Sequence, residues 1–213
     1  MKRVRIFVPR ETAAVSMGAD EVALEIARVG KARRQQGGAG VELIRTGSRG
    51  AAWLEPLVEV DVGGRRVAYA NVEVGDVATL FAADMETGPA HPKRVGFVED
   101  LPWFADQTRW TFRRAGLIDP LSLEDYRTHG GYAGLERALA GSPDEVLDAV
   151  RISGLRGRGG AAFPAGIKWQ TVADTDAPQK YVACNADEGD SGTFADRLLI
   201  EGDPFTLIEG MTL

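Results

Sequence analysis

Residues 154–169 constrain this chain more than any other stretch, because four of the first seven positions are glycine. A backbone so rich in glycine lets a ligand approach closely and lets several N–H groups point at it. Arg156, Arg158 and Lys168 add positive charge, and Phe163 precedes and Trp169 follows Lys168 in the sequence. This combination suits a phosphate group that carries a flat ring system.

A second polar cluster, residues 185–190, follows the apolar run 181–184, which we predict to be a buried strand. A basic glycine loop followed by an acidic loop is typical of a nucleotide site divided between two loops. A Rossmann site is disfavoured, because it needs a strand running into the glycine loop, and a capped helix from Ser142 runs into this one. A P-loop is disfavoured as well, because its Gly-Lys-Ser/Thr order is absent at residues 166–169.

Composition narrows the class of protein. The 213 residues carry a net charge of −6 with 44% hydrophobic content, which is ordinary for a globular chain and argues against nucleic acid as the main partner. Neither a signal peptide nor a membrane span is evident, so we expect a cytoplasmic protein. The single cysteine, Cys184, excludes an internal disulfide and any metal cluster held by several thiolates of this chain.

The first 84 residues have the hydrophobic periods of an α/β domain. Strands are indicated by alternation, a helix by apolar positions at i, i+4 and i+7 from Val22, and a hairpin by Gly63-Gly64. The predicted elements are strands at 4–8, 41–44, 57–62 and 67–70 and helices at about 18–37 and 76–82. Residues 85–103 then read as a linker with glycine and prolines.

Helix signals dominate from residue 104. We predict a helix over 104–114, with Trp103 and Trp110 on one core-facing side, and a capped helix from Ser142 to about residue 153. Another helix starts near residue 203, and the sequence ends inside it. We therefore expect residues 104–213 to be the first part of a domain that continues beyond them.

The second half resembles the flavin-bearing subunit of NADH dehydrogenases and related enzymes. That family includes the NADH-binding subunit of respiratory complex I, the diaphorase subunit of NAD-reducing hydrogenases and the beta subunit of NAD-linked, molybdenum-dependent formate dehydrogenases. Several motifs carry the resemblance in order: Gly116-Leu117-Ile118-Asp119-Pro120, Glu124-Asp125-Tyr126, His129-Gly130-Gly131-Tyr132, the glycine loop, Asn185-Ala186-Asp187-Glu188 and Gly192-Thr193-Phe194. The resemblance implies that residues 104–213 begin an α/β domain that binds FMN and NADH.

Residues 1–84 resemble the thioredoxin-like [2Fe–2S] ferredoxin domain that often accompanies this subunit. Alignment puts Pro9, Ala14, Ser48 and Ala52 at the four cysteine positions, so the domain is expected to keep the fold without the cluster. A cluster-free domain ahead of the flavin domain looks most like the formate dehydrogenase beta subunit.

The resemblance also implies a role for each loop residue. The expected FMN contacts are Gly157, Arg158, Gly159, Gly160, Lys168, Asn185, Asp187 and Glu188. Phe163 and Asp190 are expected to contact NAD, with Phe163 stacking on the dinucleotide. Hydride exchange between flavin and nicotinamide belongs to the cofactors, so no side chain is expected to be catalytic and none to bind a metal. Two positions depart from the family: Thr171 replaces a second aromatic residue, and Asp190 replaces a glutamate of the complex I subunit.

The implied partners are an iron–sulfur gamma subunit with a thioredoxin-like [2Fe–2S] domain and a molybdenum-containing catalytic alpha subunit. A [4Fe–4S] cluster is expected beyond residue 213. Other readings stay open: a hydrogenase diaphorase subunit, a complex I-like NADH dehydrogenase, a non-catalytic docking fragment, or a phosphate-binding enzyme such as a kinase. The glycine loop alone could be a structural turn, and the acidic loop a solvated surface or a divalent-metal site. Cys184 is expected to be a small buried residue rather than a nucleophile.

Overall fold

The computed structural model describes residues 3–86 and 91–213. The strands are β1 (Arg3–Pro9), β2 (Gly40–Thr46), β3 (Val58–Val62), β4 (Arg65–Tyr69) and β5 (Arg94–Phe97). The helices are α1 (Thr12–Ser16), α2 (Ala19–Gln35), α3 (Val77–Ala82), α4 (Pro102–Ala105), α5 (Leu123–Thr128), α6 (Ala133–Ala140), α7 (Pro143–Ser153), α8 (Ala165–Asp174), α9 (Ala195–Gly202) and α10 (Pro204–Thr212).

The five strands form one sheet in the order β2-β1-β3-β4-β5. Strands β1 and β2 are parallel, and α2 is the crossover between them, as a parallel pair requires. Strands β3 and β4 form an antiparallel hairpin whose turn residues, Gly63 and Gly64, have φ of +64° and +88°. With α3 after β4, this is the thioredoxin-like α/β arrangement that the resemblance implies.

The main core lies between the sheet and α2 with α3. Val4, Ile6 and Val8 alternate along β1 and are buried, and Val22 and Ile26 of α2 pack on the same cluster. The predicted strands at 4–8, 41–44, 57–62 and 67–70 and both predicted helices are present, with small shifts of their ends. Periodicity was sufficient here because each element buries one regular apolar face.

The predicted linker over 85–103 is wrong for residues 94–97, which form β5 and pair with β4. The pairing has an irregular register between Ala68 and Tyr69. An edge strand of four residues is too short to give a clear alternation, and the glycine and prolines before it favour a loop. Residues 87–90 of the same segment lie outside the described residues.

The capped helix predicted from Ser142 is α7. The Ser142 Oγ accepts a hydrogen bond from the Glu145 backbone N–H, and the Glu145 carboxylate accepts one from the Ser142 N–H at 2.7 Å. The following α8 crosses α7 at Gly166, where an added methyl group would lie 2.8 Å from Arg151 Cα. This close crossing fixes the direction in which α8 leaves the glycine loop.

The helix predicted over 104–114 is wrong. Helix α4 ends at Ala105, and residues 111–117 form turns. Trp103 and Trp110 are 52% and 82% exposed rather than buried. Arg109 donates to the Arg49 carbonyl at 2.9 Å, a contact with the loop after β2 that sequence periodicity does not register.

The buried strand predicted at 181–184 is also wrong. These residues are coil, with Tyr181 85% and Val182 71% exposed, and Cys184 is exposed rather than buried. A strand needs a neighbour to satisfy its N–H and C=O groups, and within residues 91–213 the structure has no strand other than β5. The local composition identifies an apolar run, but it does not show whether a neighbouring strand is present to pair with it.

We expect Gly30→Ala to destabilise the N-terminal domain by about 1–3 kcal/mol, because the new methyl group would lie 2.7 Å from Val41 Cγ2 between α2 and β2. The control is Gly210→Ala in α10, where no atom lies within 4 Å of the added carbon, and helix propensity predicts a gain of about 1 kcal/mol. Urea unfolding of both variants measures the difference. Equal effects of the two substitutions would contradict this packing.

Candidate functional site

The glycine loop is a closed turn between α7 and α8. Helix α7 ends at Gly154, whose φ of +67° redirects the chain. The Gly157 N–H then donates to the Phe163 carbonyl and the Ala165 N–H to the Leu155 carbonyl, both at 2.8 Å. These two bonds join the ends of the loop, so residues 158–162 project as its tip.

The tip of the loop is open to an approaching group. Apart from the adjacent residues of the chain, no described atom lies within 4 Å of a carbon added at Gly159 or Gly160, and Gly160 has a φ of +99°. Ala162 shares this left-handed region with a φ of +49°, which is uncommon for a residue with a side chain. Such backbone strain is typical of ligand loops, and the open space fits the predicted close approach of a phosphate or ring.

The cations of this loop are available. Arg158 donates to the Arg156 carbonyl, and the Lys168 Nζ lies 5.7 Å from the centre of the Phe163 ring. In the described part of the chain no carboxylate lies within ion-pair distance of Arg158 or Lys168. The half-exposed Phe163 ring and the Lys168 ammonium therefore face the same space, as a site for an anionic aromatic ligand requires.

The acidic loop is shaped by its own side chains. Asn185 Oδ1 accepts the Asp187 N–H at 3.0 Å, and the Glu188 carboxylate accepts the N–H groups of Asp196 and Arg197 at 2.9 and 3.1 Å. Desolvation acts to raise the pKa of Glu188, but these backbone donors outweigh it and hold the pKa below its ordinary value. Glu188 thus caps the N-terminus of α9.

A cleft of about 380 Å³ lies beside this loop. It is lined by Ala186, Asp187, Glu188, Asp190, Ser191, Gly192, Phe194, Arg197, Ile200 and Glu201. The guanidinium of Arg197 stacks over the Phe194 ring at 4.5 Å, and its Nε is buried without a hydrogen-bond partner. A polar ligand with an acceptor atom could satisfy that group.

The structure does not bring the two loops together. Among the described residues no hydrogen bond or ion pair joins 154–169 to 185–190, and no residue of the glycine loop lines the cleft at the acidic loop. The predicted site residues therefore form two separate groups. One comprises those of the glycine loop, between Gly157 and Lys168, and the other those of the acidic loop, between Asn185 and Asp190. The segment 175–187 between the two groups has neither helix nor strand.

A larger apolar cavity of about 770 Å³ was not predicted. It lies among α6, α7, α8, α10 and the coil at 181–183, and its lining includes Leu139, Val146, Trp169 and Val182. The signal in the sequence was the 3.6-residue spacing of apolar positions in α6 and α7. Its shape depends on several separate elements, so periodicity alone could not reveal it.

The region expected for a [2Fe–2S] cluster lies at the carboxyl ends of β1 and β2. Ala14 and Ser48 are buried there and supply no thiolate. Instead the buried Glu11 carboxylate accepts the Ala13 and Ala14 N–H groups at 2.9 and 2.8 Å, and the Ser48 hydroxyl donates to Glu55 at 3.0 Å. These carboxylates accept hydrogen bonds from backbone and hydroxyl donors. They do not fit an iron–sulfur cluster, which is held by thiolates.

In residues 3–86 and 91–213 no three His, Cys, Asp or Glu side chains are grouped closely enough to bind a metal ion. No helix in the same residues combines the length and the hydropathy needed to cross a membrane.

Residues 150–213 match the family model described as the Nuo51 FMN-binding domain, which begins inside α7 and includes both loops. The NADP-reducing hydrogenase subunit HndC of Solidesulfovibrio fructosivorans is 51% identical over 107 residues, covering 50% of this chain and 22% of that protein. A chain of an NADH-quinone oxidoreductase of Rhizobium meliloti is 47% identical over 102 residues, covering 47% and 24%. The chain thus spans about a quarter or less of these relatives' length.

A thioredoxin-like [2Fe–2S] ferredoxin from Aquifex aeolicus is similar in structure, with a TM-score of 0.38 and 18% identity over 46% of this chain and 94% of that one. The homologues are thus subunits of NADH-quinone oxidoreductases and of NAD(P)-reducing hydrogenases.

The buried Glu55 gives a pH-dependent prediction. Burial raises its pKa to about 7, against the opposing hydrogen bonds from the Leu57 N–H and the Ser48 hydroxyl, while the neighbouring carboxylates of Glu11 and Glu59 raise it further. The folded state therefore keeps a proton that the unfolded state loses above pH 4.5, so folding stability falls as pH rises from about 4.5 to 7.

We expect Glu55→Gln to remove this dependence. Relative to the wild type the variant should gain up to about 3 kcal/mol between pH 4.5 and 7, the difference of the two pKa values converted to free energy. Chemical unfolding of both proteins at several pH values measures this difference, in which other titrating groups cancel. A constant difference across the range would contradict the raised pKa.

Proposed function

We propose that this chain is part of an FMN- and NAD(H)-binding redox subunit of a multisubunit NAD-dependent oxidoreductase. The observation that carries the proposal is the match of residues 150–213 to an FMN-binding family model. Within that segment the glycine loop is open, and no carboxylate of the described residues pairs with Arg158 or Lys168. Bound FMN would supply hydride exchange with NAD(H) and single-electron transfer to iron–sulfur clusters. The protein's residues would bind and orient both cofactors.

The basic wall of the site would be the glycine loop. Gly157, Gly159 and Gly160 would let the backbone approach the isoalloxazine ring and phosphate, and the guanidinium and ammonium groups of Arg158 and Lys168 would donate to phosphate or flavin oxygens. Such charge-assisted hydrogen bonds are worth about 1.5–3 kcal/mol each.

The acidic wall would be the loop that caps α9. Asn185, Asp187 and Glu188 would hydrogen-bond the ribityl chain and ring edge of FMN. Phe163, half-exposed at the glycine loop, would stack on NAD, and Asp190 would lie near the nicotinamide dinucleotide. No acid–base side chain is required for hydride exchange, so we assign none as catalytic.

More specifically, we propose the beta subunit of a cytoplasmic, molybdenum-dependent formate dehydrogenase. The support is the thioredoxin-like domain without cluster ligands ahead of the flavin segment. The partners would be the iron–sulfur gamma subunit and the molybdenum-containing alpha subunit, and a [4Fe–4S] cluster would be held by residues of the full-length subunit outside this chain.

A hydrogenase diaphorase or a complex I-like subunit is the alternative that the relatives support, since HndC is a subunit of a hydrogenase and the Rhizobium meliloti protein a subunit of an NADH-quinone oxidoreductase. The native complex, purified from the source cells with its bound partners, distinguishes these functions by its metal content and its electron donor. Molybdenum with formate-dependent NAD reduction supports the formate dehydrogenase. Nickel with hydrogen-dependent NAD(P) reduction would replace it with a hydrogenase.

A non-catalytic docking fragment is favoured by one observation, the separation of the two loops. Equilibrium dialysis of the 213-residue chain with FMN tests this alternative. Retention at micromolar FMN rejects it, whereas the absence of binding by both this chain and the full-length subunit would overturn the proposed function.

We expect Lys168→Met and Arg158→Met in the full-length subunit each to weaken FMN binding by about 10- to 100-fold, the equivalent of one charge-assisted hydrogen bond. Quenching of flavin fluorescence on titration measures the dissociation constant. The control is Lys31→Met, which removes the charge of an exposed lysine of α2 and should leave affinity unchanged. Equal affinities of all four proteins would contradict the assignment of the basic wall.

A further inference from the structure

The C-terminal end of α9 is bound to the N-terminal domain at the carboxyl edge of β1 and β2. The Glu201 carboxylate accepts hydrogen bonds from the Thr12 backbone N–H and from the Thr12 hydroxyl, both at 2.6 Å. Thr12 opens α1, directly after β1, so one side chain of α9 holds the start of that helix. A carboxylate with two such donors is a charge-assisted contact, which is stronger than a neutral hydrogen bond.

A direct backbone contact lies beside the hydrogen bonds between Thr12 and Glu201. Gly47 follows β2 and Gly202 ends α9, and both residues are buried. A methyl group added at Gly47 would lie 2.5 Å from the Gly202 Cα and 3.2 Å from its carbonyl oxygen. The two backbones therefore touch, and a side chain at residue 47 cannot be accommodated without moving α9.

The opposite end of the same helix holds the acidic loop. Glu188 accepts the N–H groups of Asp196 and Arg197 in the first turn of α9. An α-helix of eight residues is a stiff rod of about 12 Å, so a shift at its C-terminal end is transmitted to its N-terminal end. The position of Glu188 is thus coupled to Thr12 and Gly47.

We propose that Glu201 and Gly47 are positioning residues that set the acidic wall of the flavin site, with the N-terminal domain as its support. The proposal rests on the proposed function, because it assumes that the loop at Glu188 contacts FMN. The carboxyl edge of the sheet, which would carry a cluster in a ferredoxin domain, here carries α9. The cluster-free domain therefore contributes to flavin binding through geometry and supplies no electron carrier.

The test uses the full-length subunit and two kinds of variant. Gly47→Ala introduces the steric conflict, and its control is Gly40→Ala in β2, where the nearest atoms to the added carbon lie at ordinary distances of 3.7 and 3.8 Å. Thr12→Val removes the hydroxyl donor to Glu201, and Thr12→Ser restores it. The serine variant separates loss of the hydrogen bond from general damage to α1.

Two measurements are made on each variant. Amide hydrogen exchange of residues 195–202 reports the docking of α9 without requiring a ligand, and flavin fluorescence gives the dissociation constant for FMN. We expect Gly47→Ala and Thr12→Val to accelerate exchange in α9 and to weaken FMN binding by about 5- to 10-fold, the equivalent of one lost hydrogen bond. Gly40→Ala and Thr12→Ser should match the wild type in both measurements.

The outcomes distinguish this inference from the function on which it rests. Failure of the wild type to bind FMN would overturn the proposed function and the flavin role of these residues together. If the wild type binds FMN, unchanged exchange or unchanged FMN affinity in both Gly47→Ala and Thr12→Val overturns the positioning role alone. Faster exchange with weaker FMN binding, absent from the controls, supports it.

Discussion

The buried ion pair between Arg114 and Asp203 joins the turn before α5 to the junction of α9 and α10, next to the helix that carries the acidic loop. The Arg114 Nε donates to Asp203 Oδ2 at 2.8 Å, and both side chains are almost fully buried. The guanidinium also lies over the Tyr126 ring at 4.5 Å and donates to Thr206. A buried charge without its partner is strongly destabilising, so this pair holds the turn before α5 against the junction of α9 and α10.

The same segment is bound to the sheet two residues later. Arg66 of β4 donates to the carbonyls of Gly116 and Leu117, and its guanidinium also pairs with Glu59 of β3. Residues 114–117 are thus held on one side by the sheet and on the other by α9 and α10. The orientation of the helices depends on arginines of both halves, a long-range arrangement that no local sequence pattern contains.

This dependence explains which predictions succeeded. The strands of the thioredoxin-like domain and the capped helix α7 were predictable, because an alternating face or a capping box is complete within one short segment. The edge strand β5 and the coil at 181–184 were not, because each outcome depends on whether a neighbouring strand is present. At the candidate site, the open glycine loop follows from its composition, whereas the cap formed by Glu188 needs α9 to be known first.

The carboxyl edge of β1 and β2 is organised by side chains of the chain itself. Buried carboxylates lie there with different partners. Glu59 is paired with Arg49 and Arg66, and Glu11 accepts two backbone N–H groups and lies 3.9 Å from Arg197. Glu55 is bonded to the Ser48 hydroxyl and the Leu57 N–H rather than to a cation, so burial prevails and raises its pKa.

The groups that stabilise this edge therefore come from the chain itself. Backbone donors of α1, a serine in a position where a thiolate would be needed, and the end of α9 satisfy the loops that a metal cluster would otherwise organise. Because α9 also carries the acidic loop, one helix connects this edge of the sheet to that loop. A cysteine introduced at residue 48 alone would leave Glu55 without its hydroxyl donor, so a metal site here would require rebuilding the carboxylate network as well.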